Sequence, residues 1–331
     1  MHVSTNRRLA LLVTLASGAL VLSACGSSEG GPAAAGGGDS IRVGQWISGA
    51  ISTTALTSQM LAENEEITSA HDLKVEFIDY SNLQAQYTDL ATGRIDVIVG
   101  GPESFASSAA KGAPLKLVGS FSRSNAAILS TGPELSADNL RGKRLVAATA
   151  TSTWQLVRAQ IKDLTGLEAE KDYQVVTADH SNAALQQLAA GTADFAMAWN
   201  ESLIEGLAQF PNLTIVADHN ELAGAKEPFI QFAIAVNSDN VDGEVAERLV
   251  AAYADQAAWM VEHADEADAK GVEGGRKDGT VKEMLTSGLV NYDIKPFPGP
   301  EADELRETLQ VVVDTGKLSQ LPPPSFFNEQ S

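Results

Sequence analysis

The polar residues that gather where strand-like runs turn into helix-like runs are mostly small hydroxyls. Residues 140–157, LRGKRLVAATATSTWQLV, set the pattern. A basic turn (Gly142, Lys143, Arg144) precedes a short apolar run, and Thr149, Thr151, Ser152 and Thr153 then lead into Trp154 and a helical period. The first amides of a helix have no partner within it and carry partial positive charge, so a turn of this kind can hold a small polar ligand. Thr151 or Ser152 either caps the helix or turns toward such a ligand. Ser81-Asn82 opens another helix run, and Pro102-Glu103 and Asn200-Glu201 open two more with a carboxylate. Each carboxylate is either solvated at its helix start or a partner for an amine. Trp46 with Ser48, Trp154 and Trp199 stand near strand ends, where tryptophan either packs or walls a cleft for a flat or amphipathic ligand. Trp259, inside a C-terminal helix run, is expected in the core. Arg123 can pair a ligand anion or a surface acid.

Signals for catalysis are thin. The five histidines (His2, His71, His180, His219, His263) are scattered, no HExxH, CxxC, G-x-G-x-x-G or Walker pattern occurs, and no G-x-S-x-G elbow joins a strand-like run to a helix-like run. Cys25 is the single cysteine, so neither an internal disulfide nor a cysteine metal cluster can form. No metal and no cofactor is expected. The net charge of −20 repels nucleic acid and anionic lipid surfaces, so neither is an expected direct partner.

The positions named above need a scaffold, and the chain supplies one behind an export segment. Residues 1–24 carry Arg7 and Arg8 and then an apolar run too short to span a membrane stably, as in a secretory signal. Its removal makes the chain more acidic by two charges. Residues 25–39 begin with Cys25 and continue as a Gly-, Ala- and Ser-rich tether that cannot bury apolar area. The remaining length exceeds what one core usually holds, which predicts two lobes. Strand-like runs at 41–46, 73–78, 95–99 and 115–120 alternate with helical runs, and the same grammar restarts at 145–148, 173–177, 193–199 and 213–216. Such alternation predicts two open, mostly parallel α/β sheets, with ligands beyond the carboxyl ends of the strands. The halves share the order helix, Gly-x-x-Asp, strand, around Asp96 and Asp194. Two further apolar runs, 126–130 and 229–236, are expected to pair between the lobes as a hinge. The expected divisions are 40–128 for the first part of lobe 1, 129–228 for lobe 2, and 229–331 for a return strand and helices on lobe 1. Pro322-Pro323-Pro324 is expected to end the helical part as an extended tail.

Taken in order, the Leu22-Ser23-Ala24-Cys25 lipobox-like site, the tether, IRVGQW, ATGRIDVIVGGPESF, LRGKRLVAATATSTWQLV and NAALQQLAAGTADFAMAWNES resemble the solute-binding lipoproteins of bacterial ABC importers. The nitrate/sulfonate/taurine and thiamine-precursor group is the branch most alike. The resemblance implies a type II periplasmic-binding-protein fold with a two-strand hinge, closing on one small ligand for delivery to a membrane permease, without catalysis. It implies lipid attachment at Cys25, a place on the outer face of the membrane, and action as a monomer. The implied ligand contacts are Trp46, Ser48, Ser81, Asn82, Pro102, Glu103, Thr151, Ser152, Thr153, Trp154, Trp199, Asn200 and Glu201. The implied ligand is a small organic anion such as a sulfonate, taurine or nitrate, with a nitrogen heterocycle or an aromatic acid as the alternative. An enzyme on the same fold is a different class of alternative. A yeast pyrimidine synthase of this fold class carries a Cys-rich motif that this chain lacks.

Overall fold

The computed structural model describes residues 39–47 and 49–329. The signal segment, Cys25 and Ser48 lie outside the described residues. Asp39–Trp46 (β1) pairs in parallel with Leu73–Tyr80 (β2) along its whole length and also meets Val97–Gly100 (β3). Thr53–Glu63 (α1), Glu65–Ala70 (α2) and Leu83–Ala91 (α3) connect them. Pro102–Ala109 (α4) leads on to Leu115–Arg123 (β4). The second sheet is built from Ala127–Ser130 (β5), Ala137–Leu140 (α5), Arg144–Ala147 (β6), Ser152–Thr165 (α6), Gln174–Thr177 (β7), Ser181–Ala189 (α7), Phe195–Ala198 (β8), Glu201–Gln209 (α8), Thr214–Ala217 (β9) and His219–Ala223 (α9). Ile230–Asn237 (β10) returns to the first sheet. Gly243–Glu262 (α10), Ala264–Glu273 (α11), Thr280–Thr286 (α12), Asn291–Tyr292 (β11), Pro300–Asp314 (α13) and a 3-10 turn at Pro324–Phe327 follow. The sheet orders are β11-β4-β10-β3-β1-β2 and β7-β6-β8-β5-β9, so two α/β lobes form.

Two sequence expectations change here. Residues 126–130 and 229–236 do not pair with each other as a hinge. β5 runs antiparallel between β8 and β9, and β10 runs antiparallel between β3 and β4. Both runs are apolar on successive residues, and a strand apolar on both faces is stable only where it has neighbours and cover on both sides. The crossing between lobes falls instead on short irregular segments, where Ser124 N donates to Phe229 O at 2.8 Å. The second change is at the C-terminus. The tri-proline run does not lead into an extended tail: the chain turns back as the 3-10 element, and Phe326 and Phe327 are buried with Phe105, Phe297, Leu305 and Leu309 of lobe 1.

The repeated Gly-x-x-Asp signature has a structural cause. Gly93 and Gly191 end their helices at φ +72° and +70°, a region other residues rarely adopt. Asp96 then accepts a hydrogen bond from Arg42 N at 2.8 Å while its own N donates to Arg42 O at 2.9 Å. Asp194 accepts from Arg144 N at 2.9 Å and returns its N to Arg144 O at 2.9 Å. In each lobe one aspartate sets the register between two parallel strands.

Asp96 is the more enclosed of the two. Burial raises its carboxyl, but the Arg42 side chain and main-chain N–H, together with Asn240, outweigh burial and hold it below the ordinary aspartate value. A carboxyl with a lowered folded-state pKa stabilises the fold above its unfolded value, and that contribution is lost as pH falls through the folded value. Asp96→Ala is expected to cost about 2–3 kcal/mol at neutral pH, as loss of hydrogen bonds to a charged group does. The penalty shrinks on acidification, which denaturant melts at neutral and acidic pH will measure. A penalty that is constant with pH would contradict the assignment.

Candidate functional site

A cavity of about 910 Å³ lies between the lobes. It is lined at strand ends, as an α/β sheet requires of a ligand site. Lobe 1 contributes Gln45 and Trp46 after β1, Thr53 and Thr54 at the start of α1, Gly100 and Gly101 after β3, and Ser122 and Arg123 at the end of β4. Lobe 2 contributes Asp179, His180 and Asn182 around the start of α7, and Asn200, Glu201 and Glu205 on and before α8. The C-terminal part adds Arg276, Lys277, Met284 and Tyr292. Tyr87, Phe121 and Phe232 supply further aromatic wall.

Of the positions singled out from sequence, Trp46, Asn200 and Glu201 line this cavity, and Trp46 is 39% exposed. Glu201, the first residue of α8, is only 7% exposed. Its Oε1 accepts from Thr53 N at 2.5 Å and Thr53 Oγ1 at 2.7 Å, so a lobe 2 carboxylate sits on the first residue of α1 in lobe 1. Both donors are neutral. Asn200 has φ 53° and ψ −146°, a strained backbone for a residue with a side chain. Its N donates to Asn125 Oδ1 at 3.0 Å, and Asn125 Nδ2 donates to Leu289 O at 2.7 Å. The inter-lobe crossing thereby holds the strained residue that aims Glu201.

Pro102, Glu103, Ser152 and Thr153 come together elsewhere. They line a second, small cavity with Gln231 of β10 and part of α13. Burial pushes the Glu103 carboxyl up, and a hydrogen bond from the Ser152 hydroxyl across the lobes offsets part of that rise. Thr151, Trp154, Ser81, Asn82 and Trp199 are not among the residues lining either cavity. Thr151 caps α6: its Oγ1 donates to Ala148 O at 2.8 Å and accepts from Trp154 N at 3.2 Å. Trp154 is 3% exposed and packs in the lobe 2 core with Val157 and Ile161, the stripe that its helical spacing dictates. Trp199 packs against the same core. Asn82 caps α3 by accepting from Ala85 N at 2.9 Å, and Ser81 is exposed beside it. Trp259 is half-buried, with its ring stacked on His263 at 4.2 Å.

Arg123 lines the cleft but is already occupied. Its guanidinium contacts Glu304 at 2.8 Å and Glu227 at 3.1 Å, donates to Pro228 O at 2.8 Å, and approaches Asp293 at 2.6 Å without hydrogen-bond alignment. Three carboxylates around one guanidinium leave no positive field for a ligand anion. The sequence reading missed Gln45, Ser52–Thr54, Asn125 and Arg276. Ser52-Thr53-Thr54 repeats the hydroxyl pattern of 151–153, and Ser52 accepts from Ala55 N at 3.2 Å as the cap of α1. That parallel was the available signal.

Known proteins agree with this architecture. A family model described as the periplasmic substrate-binding protein of phosphonate ABC transporters matches residues 50–273, more than half of the 331-residue chain. No curated protein matches the sequence. Among solved structures, an ABC transporter protein from Parabacteroides distasonis has a TM-score of 0.69 at 18% identity, covering 89% of this chain and 100% of that one. The periplasmic aliphatic sulphonate binding protein SsuA from Escherichia coli has a TM-score of 0.70 at 16% identity, covering 88% and 92%. The desulfurization enzyme DSZB has a TM-score of 0.60 at 15% identity, covering 88% and 98%. At these identities the likeness is one of fold.

Proposed function

Because the chain belongs to the periplasmic substrate-binding proteins of phosphonate-type ABC transporters, we propose that it captures a small organic anion bearing an amine. Closure of the two lobes carries out the capture, and a membrane permease receives the solute. Membership gives the small-molecule ligand, the permease partner and the extracytoplasmic setting; the amine is the finer reading. The observation that carries it is Glu201. A carboxylate this buried is normally matched by a cation, yet its hydrogen bonds come from the main chain and hydroxyl of Thr53. A protonated amine of the solute would complete it. Since Glu201 already joins the lobes, a solute that binds there favours the closed state, which is how a ligand shifts such an equilibrium. Trp46 and Asn200 are the neighbouring contacts in this reading.

Glu201→Gln keeps an acceptor for Thr53 and removes the charge. It is expected to weaken an amine-bearing solute about 10- to 100-fold while leaving its des-amino analogue within a few-fold, as loss of a charge-assisted bond does. Isothermal calorimetry on a pair such as taurine and ethanesulfonate measures both. Equal losses for the two would remove the amine from the reading. The aromatic wall of Trp46, Tyr87, Phe121, Phe232 and Tyr292 favours one second reading, a flat nitrogen heterocycle. A thermal-shift screen of sulfonates, phosphonates, nitrate, aromatic acids and pyrimidines separates them, since a ligand at 100 times its Kd adds about 2.7 kcal/mol.

The protein acts in this reading as a monomer without catalysis, on a lipid anchor at Cys25. Turnover of any screened ligand at catalytic rates would move it to the enzyme class, where the fold also occurs. Cys25→Ser is expected to release the protein from membranes into the soluble fraction; retention on membranes would refute the anchor.

A further inference from the structure

The turn between α11 and α12 reads Gly274-Gly275-Arg276-Lys277-Asp278-Gly279, and both of its basic residues line the main cleft. It follows the last residue matched by the family. We propose that Arg276 and Lys277 are the determinants that select an acidic group on the solute, a sulfonate, phosphonate or carboxylate. This rests on the reading of the cleft as the site of an organic anion, and it assigns the anion to a place in that cleft.

Three observations lead there. First, Arg276 is held in advance. Its Nε donates to Ile51 O and one terminal nitrogen donates to Ala50 O at 3.2 Å. Ile51 N donates back to Gly274 O at 2.8 Å, so the turn is zipped to the loop before α1. Gly274 permits that approach, because a Cβ there would lie 2.3 Å from the Ile51 side chain. Secondly, Arg276 has capacity to spare. A guanidinium has five N–H groups. Two meet neutral carbonyls, and a third meets Glu205 at 3.3 Å, longer than a tight Arg–carboxylate contact. Two N–H groups remain for a ligand. Thirdly, the competing cations are not equivalent. Arg123 is surrounded by three carboxylates. Lys277 is exposed and forms no ion pair among the described residues. A ligand anion therefore finds its charge partners at this turn.

The arrangement also sets the solute's dimensions. Glu205, which contacts Arg276, stands four residues after Glu201 on α8, and such side chains are helix neighbours with Cβ atoms roughly 5–6 Å apart. An amine on Glu201 and an acid on Arg276 thus belong to a short molecule, with a few bonds between the two charges.

The test uses the full-length protein and calorimetric Kd values for three probes: taurine, ethanesulfonate and ethylamine. In Arg276→Gln the two acidic probes are expected to weaken about 10- to 100-fold and in Lys277→Gln about 3- to 10-fold, with ethylamine unchanged in both. Arg276→Lys keeps the charge without the planar fork and is expected to fall between wild type and Arg276→Gln. Because Arg276 also braces the loop before α1, Lys277→Gln serves as the variant free of folding effects. If the wild type binds the acidic probes and both glutamine variants bind them as well as it does, the assignment to this turn is overturned while the organic-anion reading stands. If the variants weaken ethylamine as much as the acids, the effect is structural and the assignment also fails. If the wild type binds neither acidic probe, the organic-anion reading falls and takes the assignment with it.

Discussion

Arg123→Ala is expected to lower the stability of the protein by about 3–5 kcal/mol, the cost of removing one partner from a buried ion cluster. Arg123 is 6% exposed and lies at the end of β4, where the chain leaves lobe 1. Its partners come from three other places: Glu227 and the Pro228 carbonyl before β10, Asp293 after β11, and Glu304 in α13. Glu227 is 72% exposed and contributes little, since an exposed pair is screened by water. Asp293 and Glu304 are 13% and 32% exposed, and in the alanine variant Glu304 loses its cation while Asp293 keeps only the half-exposed Lys295 at 2.9 Å. Arg123→Lys restores charge but cannot reach several partners from one plane, so it recovers only part of the loss. Urea melts followed by circular dichroism decide the matter. A midpoint shift at unchanged slope is the expected result, and an unshifted midpoint would show that the cluster is mechanically idle. Solute recognition is expected to survive in Arg123→Lys under conditions where it is folded, because the cluster is already satisfied.

The second large effect is at the C-terminus. Phe327→Ala is expected to cost about 3–5 kcal/mol, the usual range for deleting a buried aromatic ring. Phe326 and Phe327 are 1% and 0% exposed and meet edge to face at 5.2 Å. Arg306 of α13 lies 4.7 Å over the Phe327 ring and also pairs with Glu329 at 2.6 Å. The final turn therefore closes the lobe 1 core from below α13. Removing residues 321–331 takes away both rings and should destabilise the protein more than either single change. Thermal unfolding of the truncated and full chains gives the comparison. Equal midpoints would mean that the turn decorates a core complete without it.

These two sites also show where the sequence was legible and where it was not. Alternation of strand and helix runs located the two lobes, since parallel α/β units need both a buried strand and a covering helix. Asp96 and Asp194 were visible as a repeat because each does a local job, bracing the strand beside its own. Phe326 and Phe327 were not visible: three prolines point to extended chain, and only the tertiary gap between α13 and β4 explains the return. The same holds for β10. Its apolar run was evident, but the slot between β3 and β4 is a property of the assembled sheet. At the site, Glu201 stood out as a carboxylate at a helix start, yet so did Glu103, and only the fold separates the cleft residue from the one enclosed between α4 and α6. Trp154 misled because its place in the Val157 and Ile161 stripe outweighs its place after a hydroxyl-rich turn. Arg276 sits in a turn without periodicity, so no pattern pointed to it.

The placement of β10 has a consequence for how the molecule is made. β3 has its neighbour β1 early, but its other edge waits for residues 233–236, and β4 waits for the same strand. All of lobe 2 is synthesised in the interval. β5 to β9 pair only among themselves, so lobe 2 can complete its sheet while lobe 1 still shows two open apolar edges. Open edges of this kind are sites of mispairing with other chains. Non-local strand pairing is also slow, because a long loop must close before the contact forms. The strand that joins β3 to β4 is thus made only after all of lobe 2, and the nascent protein is most exposed to aggregation before it arrives.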